Sequence, residues 1–146
     1  GLRPGTENVP HIAALGEAAR LARTTLVQEA THMAALRDRL HGLLAAAIPG
    51  LQLNGRPTER LPNTLNVSFP AVAGWQVLAA APTVAASTGS ACHAGDHAVS
   101  GVLAAMGLTR EAAAGAVRLS LGRFTTGSEI DAAAAALSGA WKSLTA

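Results

Sequence analysis

The chain has 146 residues, enough for one domain with a real hydrophobic core. Apolar residues make up 49% but aromatics only 3%, so the interior must be built mainly from Ala, Leu and Val. A net charge of +2 with scattered basic residues argues against a nucleic-acid surface, and no run of about 18 apolar residues offers a membrane span.

The start, GLRPGTENVP, is a loop with Thr6 and Asn8 as candidate helix caps. It lacks the basic leader and apolar stretch of a signal peptide, and without an initiating Met it reads as a chain entered part-way. From Val9 the apolar residues fall at helical spacing through Ile12, Leu15, Ala19, Leu26, Met33, Leu36, Leu40, Leu44 and Ile48. The pattern predicts either one long helix or two meeting near Thr24-Thr25, both poor helix formers. Pro49-Gly50 stops it. LQLNG (51–55) predicts a short strand and a turn, and TLNVSF (64–69) a second strand. GWQVLAAAP predicts a short helix and TVAAST (83–88) a buried strand. Ser100 and Thr109 cap two short helices, of which the second stops at Gly115. In AVRLSLG (116–122), Val117, Leu119 and Leu121 alternate with Arg118 and Ser120, as a half-buried strand requires. TGSE (126–129) has the form of a capping box before a final helix. The sum is one α/β domain with about four short strands and a long leading helix.

Chemistry concentrates in three places. Cys92, the single cysteine, sits in STGSACHAGDHAVSG, which has no apolar periodicity. One cysteine forbids an internal disulfide, which fits a reducing compartment or simply says nothing about redox staples. An accessible loop thiol is a plausible nucleophile, whereas a buried one is inert filler, and the residues alone leave both open. Cys92, His93, Asp96 and His97 are metal-ligand types, but they crowd one loop without the spaced pairs of a structural zinc site. Arg123 follows a strand and precedes a capped helix, a position where α/β proteins place ligand sites. Its guanidinium can grip a carboxylate at two points or form a surface salt bridge. Arg118, on the same strand, reads as a structural or surface charge. Thr6 sits beside a helix start, where hydroxyl and amides can cradle an anion or serve as an ordinary cap. His11, His32 and His41 lie on the long helix without partners at metal spacing, and Trp75 and Trp141 read as packing. Lys142, the one lysine, reads as solvated.

Three stretches taken together, in order and at compatible spacing, resemble the cysteine desulfurases. They are RPGTENVP with its following Gly-Glu-Ala helix, LPNTLNVSFP, and STGSACHAG…VLAAMGL…VRLSLGRFTT…EID. These enzymes are pyridoxal-phosphate-dependent members of the class V aminotransferase superfamily. The resemblance implies the small C-terminal domain of a fold-type-I enzyme. Residues 1–26 would be the end of a large domain and a connecting helix, and residues 27–146 the small domain.

It implies that Cys92 takes the sulfur of L-cysteine as a persulfide, leaving L-alanine. Arg123 would bind the substrate carboxylate, and Thr6 the cofactor phosphate of the neighbouring subunit in a homodimer. It further implies a cytoplasmic enzyme that hands sulfur to an acceptor such as an iron–sulfur scaffold protein, with no nucleic acid, membrane or metal site involved. The family holds its cofactor through a lysine in a Ser/Thr-x-His-Lys setting, and Lys142 lacks that setting. The expectation is therefore that a large N-terminal domain supplies this lysine and that the present segment is inactive alone. A related pyridoxal-phosphate lyase or aminotransferase, and a stand-alone sulfur-relay or partner-binding module, are the alternatives.

Overall fold

The computed structural model describes residues 4–89 and 100–146. Helix α1 runs unbroken from Val9 to Ala47. Asn8 caps it, its side chain accepting from the His11 amide at 3.2 Å, and Pro10 occupies the first turn, where a missing N–H costs nothing. The threonines near its middle do not split it. Their hydroxyls donate to the Leu21 carbonyl at 2.9 and 3.0 Å, so β-branched residues are held inside the helix. Ile48, Pro49 and Gly50 end it, with Gly50 at φ +84, a conformation that favours glycine.

Strands β1 (Gln52–Leu53), β2 (Thr64–Ser68) and β3 (Ala116–Ser120) form an antiparallel sheet in the order β1-β2-β3. Leu65 stands opposite Leu119 and Val67 opposite Val117. These cross-strand pairs give the sheet one fully apolar face. Leu40 and Leu44 of α1 and Ile48 at its C-cap cover it, with Ile130, Ala134, Leu137 and Ala140 of α5 (Gly127–Thr145) and Val77 of α2 (Gly74–Ala80). The opposite face is polar along β2, where the Asn54 amide donates to Asn66 Oδ1 at 2.7 Å and to Ser68 Oγ at 2.8 Å. Helices α3 (Gly101–Ala105) and α4 (Arg110–Ala114) close a small second cluster there, made of Leu103, Ala113 and Ala116. The alternation expected for 116–122 is realised: Val117, Leu119 and Leu121 are buried while Arg118 and Ser120 are exposed.

The strand expected over residues 83–88 does not form. One antiparallel bridge, Ser87 to Arg118, remains of it, so the described sheet has three strands rather than about four. Turns consume the segment at both ends. The Val84 amide bonds back to the Ala81 carbonyl at 3.0 Å, and the Ser87 hydroxyl donates to the Gly89 carbonyl at 2.7 Å. The α/β class itself holds. No helix among the described residues is long and apolar enough to cross a membrane.

Gly115 closes α4 and its carbonyl accepts from the Phe69 amide at 2.9 Å, pressing one backbone against the other. A Cβ there would strike the Phe69 carbonyl oxygen, which cannot swing aside like a side chain. Gly115→Ala is expected to lower stability by about 2–3 kcal/mol. Gly139→Ala, facing open space on α5, should instead raise it by about 0.5–1 kcal/mol. Urea unfolding of both variants checks the pair; equal midpoints would show that the β2–α4 contact is looser than described.

Candidate active site

The β3–α5 junction carries a closed polar turn. Gly122 ends the strand, and its amide donates to the Thr125 hydroxyl at 3.0 Å. The Thr125 amide donates back to the Gly122 carbonyl at 3.1 Å, so the two residues between them stand on a closed turn. Those residues are Arg123 and Phe124. The Arg123 side chain is 46% exposed and lies 5.1 Å from the centre of the exposed Phe124 ring, a cation–π distance.

Immediately after the turn, Thr126 and Glu129 form the expected capping box. The Thr126 amide donates to Glu129 Oε2 at 2.8 Å and the Glu129 amide to Thr126 Oγ1 at 3.3 Å. The backbone bond from Thr126, and then its hydroxyl, hold the Glu129 carboxyl below the usual carboxylate range. A carboxyl with a lowered folded-state pKa stabilises the fold above its unfolded pKa and loses that contribution as pH falls through the folded value. Stability should therefore drop as pH falls below about 4.3, the unfolded glutamate value. Asp131 and Glu17 shift in the same direction through their arginine partners. The difference between wild-type and Glu129→Gln melting curves across this range isolates Glu129. Parallel curves would refute the assignment.

One face of α1 docks onto this junction. Glu29 Oε1 lies 3.0 Å from Arg123 Nη2. One turn on, His32 Nε2 is 3.4 Å from the Thr125 carbonyl oxygen. Further along, Arg39 grips Asp131 through two bonds of 2.8 and 2.9 Å. This order of contacts makes α5 run in the same direction as α1. Neither Glu29 nor the docking role of His32 stood out in the sequence, because contacts between distant positions leave no local pattern.

Two of the three sequence candidates, Arg123 and Thr6, fall among the described residues, and they lie far apart. Arg123 lies beside Glu29. Thr6 is exposed just before the α1 cap, beyond the far end of that helix from Arg123. At 1.5 Å per helical residue, Val9 is about 30 Å from Glu29, so Thr6 and Arg123 are separated by roughly that distance. Lys142 lies in the last turn of α5, about 20 Å along that helix from the Arg123 turn, on the side away from Thr6. Cys92, with His93, Asp96 and His97, lies outside the described residues. The described chain enters that segment two residues after the Ser87–Arg118 bridge and leaves it at Ser100, the cap of α3. Arg118 and Arg123 thus share one strand and its exit. A shallow groove of about 490 Å³, flanked by Gln52, Asn54, Gly107 and Thr109, lies at the β1 edge and has no ionisable side chain in its lining.

Comparison with known proteins places the chain in a family. The aminotransferase class-V model matches residues 1–133. Cysteine desulfurase 2 of Trichormus variabilis is 47% identical over 133 residues, covering 90% of this chain and 33% of the relative. Cysteine desulfurase IscS of an Anaeromyxobacter species is 45% identical over 131 residues, covering 90% and 32%. The chain thus spans about a third of the length of the curated relatives it matches. Among solved structures, a NifS-like protein superposes with a TM-score of 0.81 at 33% identity, covering 95% of this chain and 35% of the other. A NifS-like protein from Rickettsia africae gives 0.80 at 27% identity, covering 96% and 36%.

Proposed function

Because the chain belongs to the aminotransferase class-V family, we propose that it is the thiol-bearing segment of a homodimeric, pyridoxal-phosphate-dependent cysteine desulfurase. The observation that carries this reading is the identity of 44–47% to proteins named cysteine desulfurase across nine-tenths of the chain. The closed turn at the strand exit supports it, because it presents a guanidinium on a rigid base where a small carboxylate can approach.

In this reading Arg123 binds the substrate carboxylate and so orients the amino acid. Its planar fork suits two parallel N–H···O bonds. The Cys92 thiolate attacks the substrate sulfur. A sulfur–sulfur bond forms, the carbon–sulfur bond of the substrate breaks, and its electron pair remains on the carbon side. One proton then returns to that carbon to give L-alanine. The persulfide on Cys92 passes its outer sulfur to an acceptor protein, of which an iron–sulfur scaffold is the proposed example. Pyridoxal phosphate supplies the electron sink for carbon–sulfur cleavage. Thr6 is of a type that fits its phosphate: an exposed hydroxyl-bearing residue two positions before the Asn8 cap of a long helix. Nothing described fits its aldehyde, since the one lysine stands at the remote end of α5. The segment alone therefore neither holds the cofactor covalently nor desulfurates, and the lysine comes from polypeptide outside this sequence.

The division into residues 1–26 and 27–146 also belongs to this proposal. It is supported by α1, whose apolar residues Val9, Ile12, Leu15 and Leu26 are exposed, whereas Leu40 and Leu44 are buried. The first half of the helix then packs against the large domain.

The experiment joins this segment to a large domain from one of its relatives and supplies pyridoxal phosphate and L-cysteine. Stoichiometric L-alanine and a mass gain of one sulfur atom on the Cys92 peptide are expected. Alanine without a persulfide would reject the reading.

A further inference from the structure

Arg123 stands on an exposed turn, and a free arginine side chain there would sample many rotamers. Two contacts confine it. The Arg123 guanidinium carbon lies over the Phe124 ring, 5.1 Å from its centre, and Glu29, a residue of another element, holds Nη2 at 3.0 Å. The Glu29 side chain is only 25% exposed, so its own freedom is already reduced by packing. The helix that carries it is fixed to the same junction at two further points. His32, on the same face of α1, meets the Thr125 carbonyl, and Arg39 forms its paired bonds with Asp131. The carboxylate therefore approaches Arg123 from a clamped base.

The ion pair engages one of the guanidinium nitrogens. A guanidinium has five N–H donors, so a second carboxylate can still take two of them. We propose that Glu29 is a positioning residue for substrate binding: it holds the Arg123 guanidinium in the orientation that receives the substrate carboxylate. The inference rests on the reading that Arg123 binds that carboxylate. The physical gain is preorganisation, because side-chain entropy surrendered before binding is not lost again when substrate arrives. An interaction of this kind acts on substrate affinity and leaves the sulfur-transfer step nearly untouched.

The test uses the full-length holoenzyme. Glu29→Ala is expected to raise the KM for L-cysteine about tenfold while kcat changes by less than about twofold. Glu29→Gln, which keeps the shape and an acceptor oxygen but not the charge, should fall between wild type and Glu29→Ala. L-Alanine carries the same carboxylate, and its affinity measured by calorimetry should weaken by the same factor. In an Arg123→Lys background, Glu29→Ala should add little, because the partner it orients is gone. An unchanged KM and alanine affinity in Glu29→Ala would overturn the inference. So would a lowered KM, which would make Glu29 a competitor for the site, or an equal effect in the Arg123→Lys background. If Arg123→Lys alone leaves KM and alanine affinity at wild-type values, the carboxylate role of Arg123 fails first and the positioning role with it.

Discussion

Replacing Cys92 by serine in the full-length enzyme is expected to cut L-alanine production from L-cysteine by about 10³-fold or more, in line with the loss seen when a covalent nucleophile is removed. Serine keeps the size of the side chain and exchanges sulfur for a poorly ionised hydroxyl. Attack on a sulfur atom needs a soft, ionised nucleophile, and Cys92 is the single cysteine of this segment. Substrate binding should survive, because the carboxylate contact assigned to Arg123 lies on the β3–α5 turn and not on the cysteine segment. L-Alanine affinity by calorimetry should therefore match wild type. Turnover that persists in Cys92→Ser would remove Cys92 from the reaction and favour a related pyridoxal-phosphate enzyme in which the thiol is dispensable.

Mixed dimers should recover activity that each parent lacks. The separation of about 30 Å along α1 prevents Thr6 and Arg123 of one chain from meeting around one small cofactor. If both serve the same kind of site, Thr6 must serve the site of the other subunit. Thr6→Ala should weaken the enzyme at limiting pyridoxal phosphate. Arg123→Ala should cost about 10²-fold, the worth of lost hydrogen bonds to a charged group. Co-expression with two affinity tags isolates the heterodimer. One of its sites then combines an intact Arg123 with an intact Thr6 from across the interface, and the other has neither. About half of wild-type activity is expected at limiting cofactor, as the two-fold geometry of a homodimer dictates. A heterodimer no better than the mean of its parents would place Thr6 outside the active site.

Much of the local architecture was legible in the chain. The helical spacing from Val9 to Ile48 and the stop at Pro49-Gly50 describe α1, because helix periodicity and termination act within a few residues. The capping box of Thr126 and Glu129 and the alternation from Ala116 to Leu121 are equally local. The strand expected at 83–88 shows the limit. Its apolar content suits a strand, but a strand needs a partner along its length, and turns at Val84 and Ser87 leave only one bridge to Arg118. The site divides the same way. Arg123, Thr6 and Cys92 were found because each sits in a distinctive run of residues. Glu29 was not, since a glutamate on a solvated helix looks like any other until its distant partner is known.

The sequence by itself determined the helix ends, the inward face of β3 and the family to which the chain belongs. All three reside in neighbouring residues or in ordered motifs. Only the tertiary structure decided that α1 is a single rod, that it holds Thr6 and Arg123 about 30 Å apart, and that Glu29 meets Arg123. These depend on how far a continuous helix extends and on which of its faces packs against a turn formed much later in the chain. Packing of that kind is set by the whole core at once, in which Leu40 and Leu44 of α1 share one cluster with Leu65, Val117 and Leu137.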